Sequence, residues 1–294
     1  MARKTGGTPR TATVRQGGGS AFGVFLLCVL IALVAAMGGF FVGHFMLPSR
    51  AAFGQLTNKT SISEKQLDKV VGTYRYKGKT YDITAREAIA QESSLDSMRN
   101  DDGSYRMPST ESVISAARMA VLMREVEERG ISASDDEVAS FASQTFGTSD
   151  MQDLARMYGM DEDTVRDRVR ESTCIAKLRQ EVAPAAQQPP AEPVAPEDGD
   201  PEAATADYAN YIIALAGSEW DATNGIWVEG GPFATALKEY NVSATSATYA
   251  AAQTAYNVAY QQYSADITGS ADAWTAYVND ILCKASIAAS TLAS

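Results

Sequence analysis

Residues 21–47, AFGVFLLCVLIALVAAMGGFFVGHFML, hold no Asp, Glu, Lys or Arg over 27 consecutive positions. Roughly 20 residues of helix cross the hydrocarbon of a bilayer, whereas the apolar part of a cleaved secretory signal runs to only about 7–15. The run therefore reads as a retained transmembrane signal anchor. The stretch before it, 1–20, carries Arg3, Lys4, Arg10 and Arg15 and no acid. Basic flanks stay in the cytoplasm, which predicts a single-pass protein with a cytoplasmic N-terminal tail and all that follows residue 47 on the far side.

The formal charge divides along the same line. The whole chain carries −11 and its basic tail +4, leaving −15 for the remainder. An acidic exterior argues against nucleic acid and against an anionic lipid surface as partners. Of three cysteines, Cys28 falls inside the apolar run. Cys174 and Cys283 lie beyond it, an even number in a compartment that permits disulfides, and form the candidate disulfide. Their apolar neighbours (Ile175 and Ala176, Ile281 and Leu282) leave two buried thiols as the other reading.

After a juxtamembrane linker over 48–64, KVVGTYRYKGKTYDIT at 69–84 reads as a β-hairpin. Val70 to Tyr76 and Thr80 to Ile83 are rich in β-branched and aromatic residues, and Lys77-Gly78-Lys79 supplies the turn. Thr84 and Glu87 have the spacing of a capping box opening a helix. In 109–130, Val113, Ala117, Ala120 and Met123 recur three or four apart, predicting a long helix. Gly130 is placed to close it, and Ser134 with Glu137 to open the next. Further helices are expected over roughly 135–145, 149–158 and 161–182, with Ser134, Ser149 and Asp161 as openers and Gly147 and Gly159 as stops. Residues 183–202 contain six prolines and five acids and read as a linker or exposed loop. The stretch 203–294 has only ten charged side chains and reads as a second, Ala- and Tyr-rich helical region. The fold class is thus mainly α: a transmembrane helix, an extracytoplasmic helical domain with one small hairpin, and a second helical region.

Little in the chain points to turnover. His44, the sole histidine, sits at the outer end of the apolar run, and no Cys/His cluster, phosphate loop or nucleophile elbow is present. The acidic runs Asp135-Asp136-Glu137 and Asp161-Glu162-Asp163 both fall at helix starts, where acids complement the helix dipole, and read as caps rather than a cation site. Tyr249, Tyr256, Tyr260 and Tyr263 recur at helical spacing and read as a packing face with wet hydroxyls, with a ligand-stacking platform as the alternative. No catalytic residue, metal or cofactor is expected.

From the hairpin through ITAREAI, EERGISASDDEV and FGTSDMQDLARMYGMDEDTVRDRVRESTCIAKL, the chain resembles the N-terminal chaperone domain of the SurA/PrsA/trigger-factor-like class of bacterial extracytoplasmic foldases. The resemblance covers 65–182 and implies a helical cradle that holds unfolded or secreted polypeptides at the bacterial cell membrane, without catalysis and without a nucleotide. The segments after it carry no histidine, so the isomerase activity of many such foldases is not implied. Seven of the ten methionines fall within 98–160, and flexible thioethers suit promiscuous apolar contacts. Met119, Met123, Met151 and Met157 are the candidate client-binding residues, with core filling by Met119, Met123 and Met157 as the other reading. A structural or interaction subunit of a cell-envelope complex is the alternative function.

Overall fold

The computed structural model describes residues 56, 59–92, 94–185 and 188–289. The basic tail, the apolar run at 21–47, Cys28 and His44 lie outside them. Among the described residues no helix is long and apolar enough to cross a membrane.

The described residues are mainly α-helical with several small sheets, and form two compact units. Unit 1 takes the chain up to Leu178 and again from Val278 onward; unit 2 is Arg179–Tyr277. This division differs from boundaries at 182 and 203: the region read as a single helical stretch over 203–294 is shared between the units.

Unit 1 is organised around a three-stranded antiparallel sheet. Strands β2 (Val70–Tyr76) and β3 (Lys79–Thr84) form the hairpin expected from the sequence. Its two-residue turn, Lys77-Gly78, has φ of 47° and 80°, the double left-handed form that matches the twist of paired strands. On the other edge of β2 lies β9 (Ser286–Ala289), in register from Gly72 opposite Ala289 to Arg75 opposite Ser286. A two-residue pair, β1 (Ser61–Ile62) with β4 (Tyr105–Arg106), completes the strands of this unit. The expectation of one hairpin is therefore too small. Two-residue strands leave no periodicity to read, and Ser-Ile-Ala-Ala lacks the run of β-branched and aromatic residues that signals a strand.

Two helices pack on this sheet: α1 (Ala85–Glu92) and α2 (Thr110–Glu128). Thr84 and Glu87 form the capping box at the start of α1, and the Ser109 hydroxyl accepts the Ser112 N–H at the start of α2. Val71, Tyr74, Tyr76, Ile83, Ile89, Val113 and Val121 form the buried core between them, with Ile287 and Ala289 of β9 packed against it. Leu56 and Ile62 belong to the same core, so the unit begins within the stretch expected as linker.

The end of α2 closes on a Schellman motif. Gly130, with φ 67°, donates to the Glu127 carbonyl, and Ile131 donates to that of Val126. Four residues later Ser134 opens α3 (Asp135–Phe146) with a reciprocal capping box to Glu137. Helices α4 (Met151–Tyr158) and α5 (Glu162–Val182) follow, opened by Asp150 and Asp161. The cap of α4 is Asp150 rather than Ser149, one residue on. Val138, Ala142, Leu154, Val165 and Val169 make a second core among α3, α4 and α5, rimmed by Phe141, Phe146 and Tyr158. Lys177 of α5 reaches back to the joint, donating to the Ser132 carbonyl at 2.7 Å and to Glu137 Oε1 at 2.6 Å.

Unit 2 is built from α6 (Ala206–Ala216), α7 (Pro232–Ala236) and the first 29 residues of α8 (Tyr249–Cys283). Ala251, Ala252 and Ala255 are fully buried with Ile212, Phe233 and Leu237, and their small side chains let the helices approach closely. Two short ribbons brace it, β5 (Ala204–Thr205) with β8 (Ala247–Thr248) and β6 (Trp220–Asp221) with β7 (Ile226–Trp227). Across the second ribbon the rings of Trp220 and Trp227 meet edge to face at 5.0 Å.

Two outcomes follow from this packing. A Cβ at position 72 would collide with Val113 Cγ1 and crowd the Ala288 carbonyl. Gly72→Ala should therefore destabilise the protein by about 1–3 kcal/mol, as overpacking does, in denaturant titrations; an unchanged midpoint would refute the close approach. At the joint, the bond from Lys177, with help from the Ser134 N–H, holds the Glu137 carboxyl down to about 2, from an ordinary 4.5. Because the folded value is depressed, the contact's contribution is complete above pH about 4.5 and is lost as pH falls through about 2. Carbon-13 titration of the Glu137 carboxyl should give that low midpoint, and Lys177→Met should move it most of the way back.

Candidate functional site

The four methionines singled out from the sequence occupy two places. Met119 and Met123 lie one turn apart on α2, each half-buried. Met151 opens α4, half-buried against the second core, while Met157, six residues on, is 46% exposed. None of the four is in the fully buried interior. Met98 and Met107 are, at 8% and 9% exposure, and serve as core. Unit 1 thus carries partly exposed thioethers on two capped helices.

Near the hairpin turn lies the one buried acid of α2, Glu125. Tyr76 donates its hydroxyl to Glu125 Oε1 at 2.5 Å, Lys77 Nζ donates to the same oxygen at 2.6 Å, and Arg129 Nε lies 3.8 Å from Oε2. Lys77 also bonds Glu128. Burial and the Glu125 carboxylate push the Tyr76 phenol up to about 12, and the two carboxylates raise the Lys77 ammonium. Both donors therefore keep their protons across the ordinary range, and the cluster ties the hairpin to α2. One oxygen of this carboxylate accepts from two donors of the hairpin, which makes it a clamp between the hairpin and α2.

Cys174 and Cys283, read from the sequence as either a disulfide or two buried thiols, are not bonded to each other. Both thiols are free; Cys174 is buried on α5 and Cys283 is exposed at the last residue of α8. Burial pushes the Cys174 thiol up, away from the reactive thiolate. Among the described residues no group of three or more His, Cys, Asp or Glu side chains could hold a metal ion.

Unit 2 carries an arrangement that the sequence reading missed. The Pro-rich stretch has neither helix nor strand from 188 to 196, yet hydroxyls from α6 and α8 hold it. Tyr211 donates to the Ala191 carbonyl at 2.6 Å and Tyr208 to the Val194 carbonyl at 2.8 Å. Tyr256 Oη lies 3.4 Å from Glu192 Oε1. Pro190, Pro193 and Pro196 are partly buried, while Ala191, Glu192, Val194 and Ala195 between them are exposed. The signal was present as prolines three apart, but it pairs with tyrosines of α6 and only one of the stripe. Within that stripe Tyr256, Tyr260 and Tyr263 form a row of tilted rings 5.9 and 6.2 Å apart, and Tyr249 meets Tyr208 at 5.6 Å.

No family model, curated protein or solved structure matches the chain.

The thiol geometry has a direct readout. Without reductant, maleimide should label Cys283 of the native protein rapidly and Cys174 only after denaturation, read by peptide mass spectrometry. A peptide pair linked through Cys174 and Cys283 would overturn the assignment.

Proposed function

We propose that this chain is a membrane-anchored extracytoplasmic holdase, which binds unfolded or secreted polypeptides at the bacterial cell membrane without catalysis or nucleotide. The resemblance of 65–182 to the SurA/PrsA/trigger-factor-like foldases motivates the reading. The observation that carries it is Met157, nearly half exposed on a short helix fixed at both ends, with Met119, Met123 and Met151 each within reach of solvent. Apolar side chains with three rotatable bonds adapt to many sequences and are shaped for none. Binding of this kind is weak, because the ordering of a flexible client opposes it. The anchor at 21–47 would keep the surface beside the membrane that clients leave.

A second reading, an interaction subunit of a cell-envelope complex, is favoured by Ile226 and Val228, which stand 57% and 49% exposed at β7 of unit 2. The two readings differ in promiscuity: a holdase captures many unfolded chains weakly, a subunit one folded partner tightly.

The test replaces Met119, Met123, Met151 and Met157 together with Gln in the full-length chain. Since none of the four is fully buried, circular dichroism and thermal melting should stay close to wild type. Suppression of aggregation of a chemically unfolded client should fall several-fold. A wild-type protein that does not slow aggregation at several-fold molar excess would defeat the holdase and leave the subunit.

A further inference from the structure

The geometry points to the tyrosine face of unit 2 as a recognition site for Pro-x-x-Pro segments in the polyproline II conformation, occupied in this chain by its own residues 190–196.

Three observations converge on that ligand class. The first is a period of three. Pro190, Pro193 and Pro196 turn inward while the residues between them face out, with Val194 83% exposed. A polyproline II helix has three residues per turn, so one residue in three shares a face. Each proline also pushes the residue before it toward the extended region, which favours this form over 189–196. The second is the pattern of donors. That helix makes no internal hydrogen bonds and leaves its carbonyls free. Here the carbonyls of Ala191 and Val194, one turn apart, accept from Tyr211 and Tyr208, one turn apart on α6. The chains therefore run antiparallel, the later carbonyl meeting the earlier tyrosine. Burial raises the phenols of Tyr208 and Tyr211, which keeps both protonated as donors. The third is the surface itself. Tyr208, Tyr211, Tyr249 and Tyr256 present flat rings with hydroxyls at their rims, the combination that accepts a preformed proline helix by ring contact and reads it by donating to its carbonyls.

Two of the three bonds go to backbone carbonyls, which any residue offers, and the third, from Tyr256, reaches the exposed Glu192 side chain at 3.4 Å. A peptide with the same proline spacing satisfies the first two donors. In the intact chain the tethered segment competes at high effective concentration, and an added peptide exchanges into the site only slowly or weakly.

The test uses the full-length chain and a fluorescein-labelled peptide of residues 188–198, QPPAEPVAPED, followed by fluorescence anisotropy. Replacing Pro190, Pro193 and Pro196 together with Ala weakens the internal competitor. That variant should bind the peptide at least roughly tenfold more tightly than wild type. Adding Tyr208→Phe and Tyr211→Phe to it should remove most of the gain while leaving the circular dichroism spectrum unchanged. A peptide of the same composition with its prolines no longer three apart should not bind. Equal affinity for the scrambled peptide, or for the variant without hydroxyls, overturns the proposal, as does a folded proline variant that binds nothing at millimolar peptide. Should the proline variant not fold, cleavage of the native chain by a Glu-specific protease decides. Tyr208→Phe with Tyr211→Phe should speed the cut after Glu197 several-fold, and an unchanged rate overturns the proposal.

Discussion

The sheet and the first core of unit 1 depend on the backbone of β2 being approached from three sides at once. β3 pairs along one edge, β9 along the other, and α2 lies over the face that carries Val71 and Tyr74. The tightest point is Gly72, where there is room for a hydrogen and not for a methyl. Interiors at crystalline density do not yield much to an added carbon. A single missing side chain thus sets how near the long helix can sit, and the Tyr76–Glu125–Lys77 cluster fixes its angle at the far end of the same strand.

What was legible from the residues alone is what short-range chemistry decides. The hairpin, the capping boxes at Thr84 and Ser134 and the stop at Gly130 each involve residues a few positions apart and form as expected, except that the turn is Lys77-Gly78 alone, with Lys79 already in β3. What stayed hidden depends on a distant partner. Ser286–Ala289 becomes a strand because β2 offers it an edge, with no strong preference of its own. Residues 190–196 have a period that says polyproline helix, yet nothing local says where it rests; that requires Tyr208 and Tyr211 to be on one face of α6. Cys174 and Cys283 looked like a pair through compartment and parity, and neither argument contains a distance. Which methionines lie in the core was not legible either, since Met98 and Met107 have the same chemistry as the candidates and lie inside.

The two surfaces proposed for binding are opposite in kind. Thioethers on α2 and α4 make contacts without direction, so affinity there scales with apolar area and tolerates any sequence. Phenolic hydroxyls on α6 and α8 donate along defined lines, so contact there depends on register and spacing. A chain that carries both can hold a polypeptide loosely through one and fix a particular element of it through the other. The acidic balance of the chain is compatible with either role, since neither relies on attracting an anion.

The sheet also has a history in time. β2 and β3 leave the ribosome early, while β9 is made more than two hundred residues later. At synthesis rates of about 5–20 residues per second, one edge of β2 waits for on the order of 10–40 s with its amides and carbonyls unpaired. An open edge of this sort is a template for any extended chain nearby. Unit 2 can condense during that interval, since its core lies wholly within 179–277. The nascent protein thus has a half-built sheet while the core of unit 2 is complete, and cellular factors that shield exposed strands can act on it until β9 emerges.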